Sequence, residues 1–170
     1  MNTFLRTQIE TPLGTMYACA TNKGICLLEF DDRKKLDVQF KNLGGTIENG
    51  ESPFFLQLRK ELEEYFNKER TEFTVPLDFV GTDFQKQVWA ELVKVPNGKT
   101  VSYKQLAKNI GDEKAVRAVA NANAMNKIAI IVPCHRVIGS DGSLTGYAGG
   151  LDRKRQLLEL ESTHADLFRK

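Results

Sequence analysis

Hydrophobic and polar positions alternate with two different rhythms along this chain. Over the first thirty residues the rhythm is short. A run at 3–10 ends at Thr11-Pro12, and runs at 14–20 and 24–30 are separated by Thr21-Asn22-Lys23-Gly24. Short apolar runs joined by Gly-containing turns predict three strands, the last two a β-hairpin. The period then lengthens. Asp32 is placed to cap a helix over 33–42 with Leu36, Phe40 and Leu43 inward, and Gly44-Gly45 to stop it. Ser52-Pro53 is an N-cap and first-turn pair. It opens a helix to about Asn67 with Phe55, Leu58, Leu62, Tyr65 and Phe66 on the apolar side and Glu61, Glu63 and Glu64 outside. Pro76 forces 73–79 into an extended form.

Helical spacing dominates after Gly81-Thr82, which predicts a boundary and two domains, 1–80 and 81–170. Thr82 or Asp83 caps a helix holding Phe84, Val88, Trp89, Leu92 and Val93, ended by Pro96-Asn97-Gly98. Ser102 and Gln105 have capping-box spacing before a short helix to about Asn109. Ile110-Gly111-Asp112 is a turn, and a second helix is predicted over 113–124. Helix, Gly-containing turn, helix is the pattern of a helix-turn-helix, and equally of an ordinary packing hairpin. The second helix sorts by face. Val116, Val119, Ala120 and Asn123 form a mostly apolar stripe, and Lys114, Arg117, Ala118 and Asn121 a basic, small and polar one. The apolar run ending at Val132 predicts a buried strand that stops at Pro133. Residues 139–143 form a turn and 146–150 a flexible Gly-rich loop. That loop lacks the Lys-Ser/Thr ending of a phosphate loop. Asp152 is placed to cap a last helix, and 162–170 to form a loose tail.

Composition narrows the class. At 170 residues with 41% hydrophobic positions, the chain can bury a core without staples. It has no apolar run of membrane-spanning length and no basic-then-apolar leader pattern. Three cysteines, Cys19, Cys26 and Cys134, do not suggest a disulfide framework, so reduced thiols and a cytoplasmic place are expected. Cys19 and Cys26 are flanked by apolar residues, and no His precedes His135, so no zinc set is expected there. The net charge of +2 is unevenly spread. Residues 1–81 hold 10 basic against 13 acidic side chains, and 82–170 hold 14 against 9. A basic second half fits a polyanion, or is a fluctuation of surface charge.

Candidate chemistry concentrates in Pro133-Cys134-His135-Arg136-Val137. A thiol beside cations is more readily ionised than a free one, whereas the plain alternative is a small buried hydrophobe followed by surface charges. Glu161 also breaks pattern. Leu157 and Leu158 mark the inner face of the last helix, and Glu161 follows at helical spacing on that face. An inward carboxylate requires a partner, for which His135 is a candidate, unless it frays into water.

These motifs give the second half a close resemblance to the O6-alkylguanine-DNA alkyltransferases. The matching segments are Phe84-Gln85-Lys86-Gln87-Val88-Trp89, Val101-Ser102-Tyr103, Arg117-Ala118-Val119, Asn126, Pro133-Cys134-His135-Arg136-Val137 and Tyr147-Ala148-Gly149-Gly150-Leu151. The first half is similar in layout, including Thr11-Pro12-Leu13-Gly14. The resemblance implies an α+β protein. Its N-terminal domain would be an RNase H-like α/β domain with antiparallel strands, and its C-terminal domain a mainly helical winged helix-turn-helix. It implies DNA repair by irreversible, single-turnover transfer of an alkyl group from O6-alkylguanine, and from O4-alkylthymine, to Cys134. The substrate would be double-stranded DNA with the base flipped out. No cofactor or metal, no membrane and a monomer are expected.

By position, the resemblance makes His135 the base acting through a water, Glu161 the carboxylate orienting it, and Asn126 the hinge before the acceptor strand. Tyr103 would press on the target phosphate and protonate the leaving oxygen. Arg117 would fill the gap left by the base, with Ala118, Asn121 and Ala122 allowing close approach in the minor groove. Tyr147, Ala148 and Gly149 would form the base pocket, and the carbonyls of Val132 and Cys134 would accept from the guanine amine. Lys127 after Asn126, and Ala148, depart from the common pattern. An alkyltransferase-like lesion sensor is the alternative, and such proteins lack the acceptor cysteine that Cys134 supplies.

Overall fold

In the computed structural model, residues 2–168 are described, with side chains described as far as Ser162. The chain divides into two compact units, Met1–Val80 and Gly81–Lys170.

The first unit is a four-stranded sheet in the order β3-β2-β1-β4 with two helices. Its strands are β1 (Asn2–Thr11), β2 (Gly14–Ala20), β3 (Ile25–Phe30) and β4 (Gly45–Asn49). β1, β2 and β3 form the antiparallel meander that the turns predict. Thr11 Oγ1 accepts from Leu13 N and donates to Gly14 O in the first turn, and Thr21 N donates to Gly24 O in the second. β3 is buried throughout, and Met16, Ala18, Leu28 and Phe30 are fully enclosed. β4 is an addition that alternation did not signal. It has one apolar residue, Ile47, and lies parallel to β1 at the sheet edge, Asn2 against Gly45. A Cβ on Gly45 would lie 2.1 Å from Asn2 O, so only glycine allows this approach.

The helices differ in detail from the pattern. α1 spans Leu36–Lys41, shorter than expected, and its N-cap is Lys35 at φ 59°. Asp32 is therefore too early to cap it. α2 (Pro53–Phe66) begins as predicted, with Ser52 Oγ accepting from Phe54 N. Glu61, expected outside, is 3% exposed. It accepts from Thr74 N, Thr74 Oγ1, Val75 N and Gln57 Nε2, and so ties the extended segment after α2 to the helix. Burial pushes the Glu61 pKa up, but these hydrogen bonds outweigh it and leave the carboxyl below its ordinary value.

The second unit opens with α3 (Asp83–Val93), where Thr82 and Gln85 complete a capping box. Val88, Trp89 and Leu92 are buried, while Val93 turns out at 47% exposure. A two-residue strand, β5 (Val101–Ser102), precedes α4 (Tyr103–Asn109). Ser102 caps α4, but the Gln105 side chain turns to Asn109, so the reciprocal half of the box is absent. The Ile110-Gly111-Asp112 turn and a 3-10 turn at Glu113–Ala115 lead into α5 (Val116–Ala124), which packs on α3 and α4.

The apolar run before Pro133 corrects the expected strand. Residues 128–132 are folded into turns, with Ile131 N donating to Ala129 O and Val132 N to Ile128 O. Ile130 sits at φ 72°, a conformation that costs a β-branched residue about 1–3 kcal/mol. Cys134–Arg136 is a 3-10 turn, followed by β6 (Val137–Ile138), parallel to β5. α6 (Leu151–Phe168) continues through the segment expected to be loose, so Glu161 lies inside a helix. Arg169 and Lys170, the end of that expected tail, lie outside the described residues. Asp152 lies within the first turn of α6, not at its cap, and Lys154 N bonds the Gly150 carbonyl.

Candidate active site

The site is built around the Asn126 side chain, because the turns before Cys134 leave backbone groups that no strand ladder satisfies. Asn126 is 4% exposed. Its Oδ1 accepts from Ile128 N at 3.0 Å, and its Nδ2 donates to Val132 O at 2.9 Å and Ile128 O at 3.3 Å. The same Nδ2 lies 3.2 Å from Cys134 Sγ and donates to it. One amide therefore substitutes for the missing ladder and places a donor on the sulfur, where it favours the thiolate.

Behind the thiol is a buried charge network. His135 is fully buried, and its Nε2 is 2.7 Å from Glu161 Oε2. Arg136 forks onto the same carboxylate, Nε to Oε1 at 2.7 Å and Nη2 to Oε2 at 2.9 Å, while its Nη1 donates to Val95 O at 2.6 Å. Burial by itself would raise the Glu161 pKa. The charges and hydrogen bonds of His135 and Arg136 overcome it and hold the carboxyl well below its ordinary range. Burial lowers the His135 pKa, with the Glu161 charge opposing only in part. Arg136 already balances Glu161, so the imidazole can remain neutral. An ionised Glu161 can only accept, which puts the imidazole proton on Nε2 and the lone pair on Nδ1. That Nδ1 is buried and has no protein hydrogen-bond partner.

α6 supplies a second charged group that the sequence reading missed. Lys154 precedes Leu157 by three residues and Glu161 by seven, so all three share one stripe. It is fully buried, and its Nζ donates to Val137 O and Thr145 O, both at 2.6 Å. Burial lowers its pKa, against the pull of the Cys134 thiolate. The signal available was its place on the inner face beside the misfit Glu161. Lys154 clasps β6 to the loop before Tyr147. Replacing it with Met removes two charge-assisted bonds, and the urea midpoint is expected to fall by the equivalent of about 2–4 kcal/mol.

The other expected residues are partly gathered. Tyr103 opens α4 and accepts from Thr145 Oγ1 at 3.3 Å, which joins it to the Gly-rich loop. Arg117, Ala118 and Asn121 are exposed on one face of α5. Ala122 is not on that face. It is 2% exposed and its carbonyl accepts from Trp89 Nε1, so its methyl faces the interior. Ala148 is exposed, Tyr147 and Gly149 are half-buried, and Gly149 O accepts from Arg153. The Val132 carbonyl accepts from Asn126 Nδ2 at 2.9 Å and from Cys134 N at 2.7 Å. Among the described residues no group of three or more His, Cys, Asp or Glu could hold a metal ion, and no helix is long and apolar enough to cross a membrane.

A thiol with an amide donor on its sulfur, an imidazole held by a buried carboxylate, and a helix-turn-helix in the same unit define a protein that presents a nucleophile to DNA. Residues 83–163 match the 6-O-methylguanine DNA methyltransferase DNA-binding domain, and residues 4–79 match the ribonuclease-like domain of the same proteins. The chain belongs to the 6-O-methylguanine DNA methyltransferase family. It is 45% identical to the methylated-DNA–protein-cysteine methyltransferase of Methanosarcina barkeri, over 92% of this chain and 96% of that one. The crystal structure of the Mycobacterium tuberculosis O6-methylguanine methyltransferase is 42% identical, with a TM-score of 0.83 over 95% of this chain and 94% of the other. The Mycobacterium tuberculosis OGT in complex with DNA gives a TM-score of 0.81 over 97% of each chain, at the same 42% identity.

Proposed function

We propose that this protein repairs DNA by taking the alkyl group of O6-alkylguanine onto Cys134, once per molecule. The Cys134 thiolate attacks the alkyl carbon in line with the O6–carbon bond. A carbon–sulfur bond forms as the carbon–oxygen bond breaks, and the electron pair leaves on the guanine oxygen. Tyr103 delivers a proton to that oxygen. O4-alkylthymine carries the same alkoxy group on a ring that leaves in the same way, and the proposal extends to it. His135 receives the thiol proton on Nδ1 through a bridging water, and Glu161 holds the imidazole and balances the charge it gains. The supporting observation is the division of labour on that ring: Nε2 is bonded to Glu161 while Nδ1 is buried and unpartnered.

The remaining roles follow the same reading. Arg117, with Ala118 and Asn121, faces the minor groove. Arg117 enters the gap left by the flipped base, and Tyr147, Ala148 and Gly149 enclose the base. Residence in the cytoplasm keeps the three thiols reduced.

The direct test is to incubate the protein with a duplex carrying O6-methylguanine and weigh it intact. One added methyl, mapped to the Cys134 peptide and never exceeding one per chain, is the expected result. Tight binding with unchanged mass would instead make the chain a lesion sensor. Arg117→Ala is expected to slow methyl uptake from duplex about tenfold or more, and from a single strand much less, because extruding a paired base costs a few kcal/mol that an unpaired one does not need. Equal losses on the two substrates would remove Arg117 from that role.

A further inference from the structure

Trp89 holds the chain on both sides of Asn126. On one side its Nε1 donates to the Ala122 carbonyl at 2.9 Å, four residues before the asparagine. On the other side the ammonium of Lys127, the very next residue, lies 5.2 Å from the centre of the Trp89 ring. Trp89 itself is immobilised. It is 1% exposed, and a Cβ on Gly81 would come within 2.7 Å of its Cη2, so the ring's outer edge rests against backbone. Lys127 is only 4% exposed. A buried ammonium needs compensation, and an indole face supplies it in a geometry that depends on where the charge sits.

We propose that Lys127 is a positioning residue for alkyl transfer: its ammonium on Trp89 fixes the turn carrying Asn126 and so keeps the Asn126 amide on Cys134 Sγ. The proposal rests on Cys134 as the acceptor. The reasoning is geometric. Asn126 Nδ2 is shared between two carbonyls and the sulfur, so a small rotation of its backbone carries the donor off the sulfur first, because sulfur is a weaker acceptor than either carbonyl. The Ala122 bond anchors only the helical side of that turn. The Lys127 contact anchors the side that continues into the acceptor loop. Loss of the ammonium leaves the thiol without its amide donor, while the outer face of α5, with Arg117, Ala118 and Asn121, is unchanged.

The experiment compares wild type, Lys127→Met and Lys127→Arg. Three quantities are measured: the rate of methyl uptake from an O6-methylguanine duplex, the affinity for the same duplex without the lesion, and the pH profile of Cys134 alkylation by iodoacetamide, read on the Cys134 peptide. The titratable and charged groups of the site, Lys154, which acts on the thiolate, and the His135, Glu161 and Arg136 network behind it, are the same in all three proteins. Lys127→Met is expected to slow uptake about tenfold, in keeping with the sensitivity of such reactions to small misplacements, and to move the iodoacetamide profile to higher pH. Duplex affinity should stay within about twofold, and Lys127→Arg, which keeps a cation over the ring, should recover most of the rate.

An unmoved pH profile in Lys127→Met would overturn the proposal, whatever the rate. So would a fall in duplex affinity matching the fall in rate, which would assign Lys127 to seating α5. If Lys127→Met does not fold, Lys127→Gln removes the same charge from the Trp89 ring while keeping a polar head, and the same upward move of the profile is expected; an unmoved profile again overturns the idea. A wild-type protein that takes no methyl would strike the reading of Cys134 as alkyl acceptor. The iodoacetamide profiles, which involve no DNA, would still decide whether Lys127 positions Asn126.

Discussion

A Cys134→Ser protein will bind lesion-bearing duplex and never gain the mass of a methyl group. The exchange keeps the side chain's size class and leaves a hydrogen-bond acceptor near Asn126 Nδ2, so the fold and the exposed face of α5 should survive. What is lost is a nucleophile that can ionise. A thiol has a reference pKa of about 8.5 and is brought lower by nearby donors and cations, whereas an alcohol stays protonated. The alkyl carbon has no oxyanion to stabilise, so positioning cannot make up for the missing thiolate. Intact mass after prolonged incubation reads the outcome. Because the other two cysteines lie fully buried in the first unit, and burial pushes the Cys19 pKa up to about 12, neither offers a substitute. Methyl on any peptide of the Ser variant would therefore show that the acceptor had been wrongly assigned.

Glu161→Gln is expected to damage both chemistry and stability. Removing the charge leaves Arg136, 6% exposed, with a neutral amide where a carboxylate stood. Breaking one half of a buried pair costs about 3–5 kcal/mol. The chemical loss comes from His135. A glutamine can present either an oxygen or an amide to Nε2, so the tautomer is no longer enforced and the imidazolium is no longer balanced. Misplaced third members of such relays cost roughly 10²–10⁴-fold in rate. Methyl uptake should fall accordingly while duplex affinity stays nearly constant. A fall in affinity with an unchanged rate would make Glu161 purely structural.

The same substitution has a signature in pH. The folded Glu161 pKa is depressed below its ordinary 4.5, so its contribution to stability is complete above that value and drains away as pH falls through and below it. His135, also depressed, adds a loss of the same sign as pH falls through its ordinary 6.5, since the unfolded imidazole takes a proton that the buried one resists. Urea midpoints across this range should therefore fall on acidification in the wild type. In Glu161→Gln the part below 4.5 should shrink. An equally steep acid-side slope in both proteins would show that other carboxylates account for it.

Much of this architecture is written in local pattern. The meander, the capped start of α2, the Thr82 box and the paired helices α4 and α5 follow from apolar spacing and turn residues, because each is satisfied by neighbours a few positions away. What local pattern missed depends on distant partners. β4 carries almost no apolar signal, since it completes an edge and not a core. Glu61 read as solvent-facing because Thr74 and Val75, which satisfy it, lie beyond the helix. The run before Pro133 has the composition of a buried strand, and only the Asn126 side chain makes folded turns affordable there. Lys154 was missed although it shares the inner stripe with Glu161, because its carbonyl partners lie on β6 and the loop at Thr145. Glu161 was legible as a misfit with His135 as a candidate partner, whereas the fork of Arg136 onto the same carboxylate was not.

The arrangement around Trp89 also has an optical consequence. It is the only tryptophan, it belongs to the second unit, and it is enclosed between α3 and α5. Excited at the red edge of its absorption, the chain emits from that single place. The first unit has Tyr17 and Tyr65 and no tryptophan, so red-edge excitation leaves it dark. Emission during denaturation thus follows the DNA-binding half alone, and a far-ultraviolet signal recorded in parallel follows both. If the two curves separate, the halves melt in succession; if they superimpose, they melt as one.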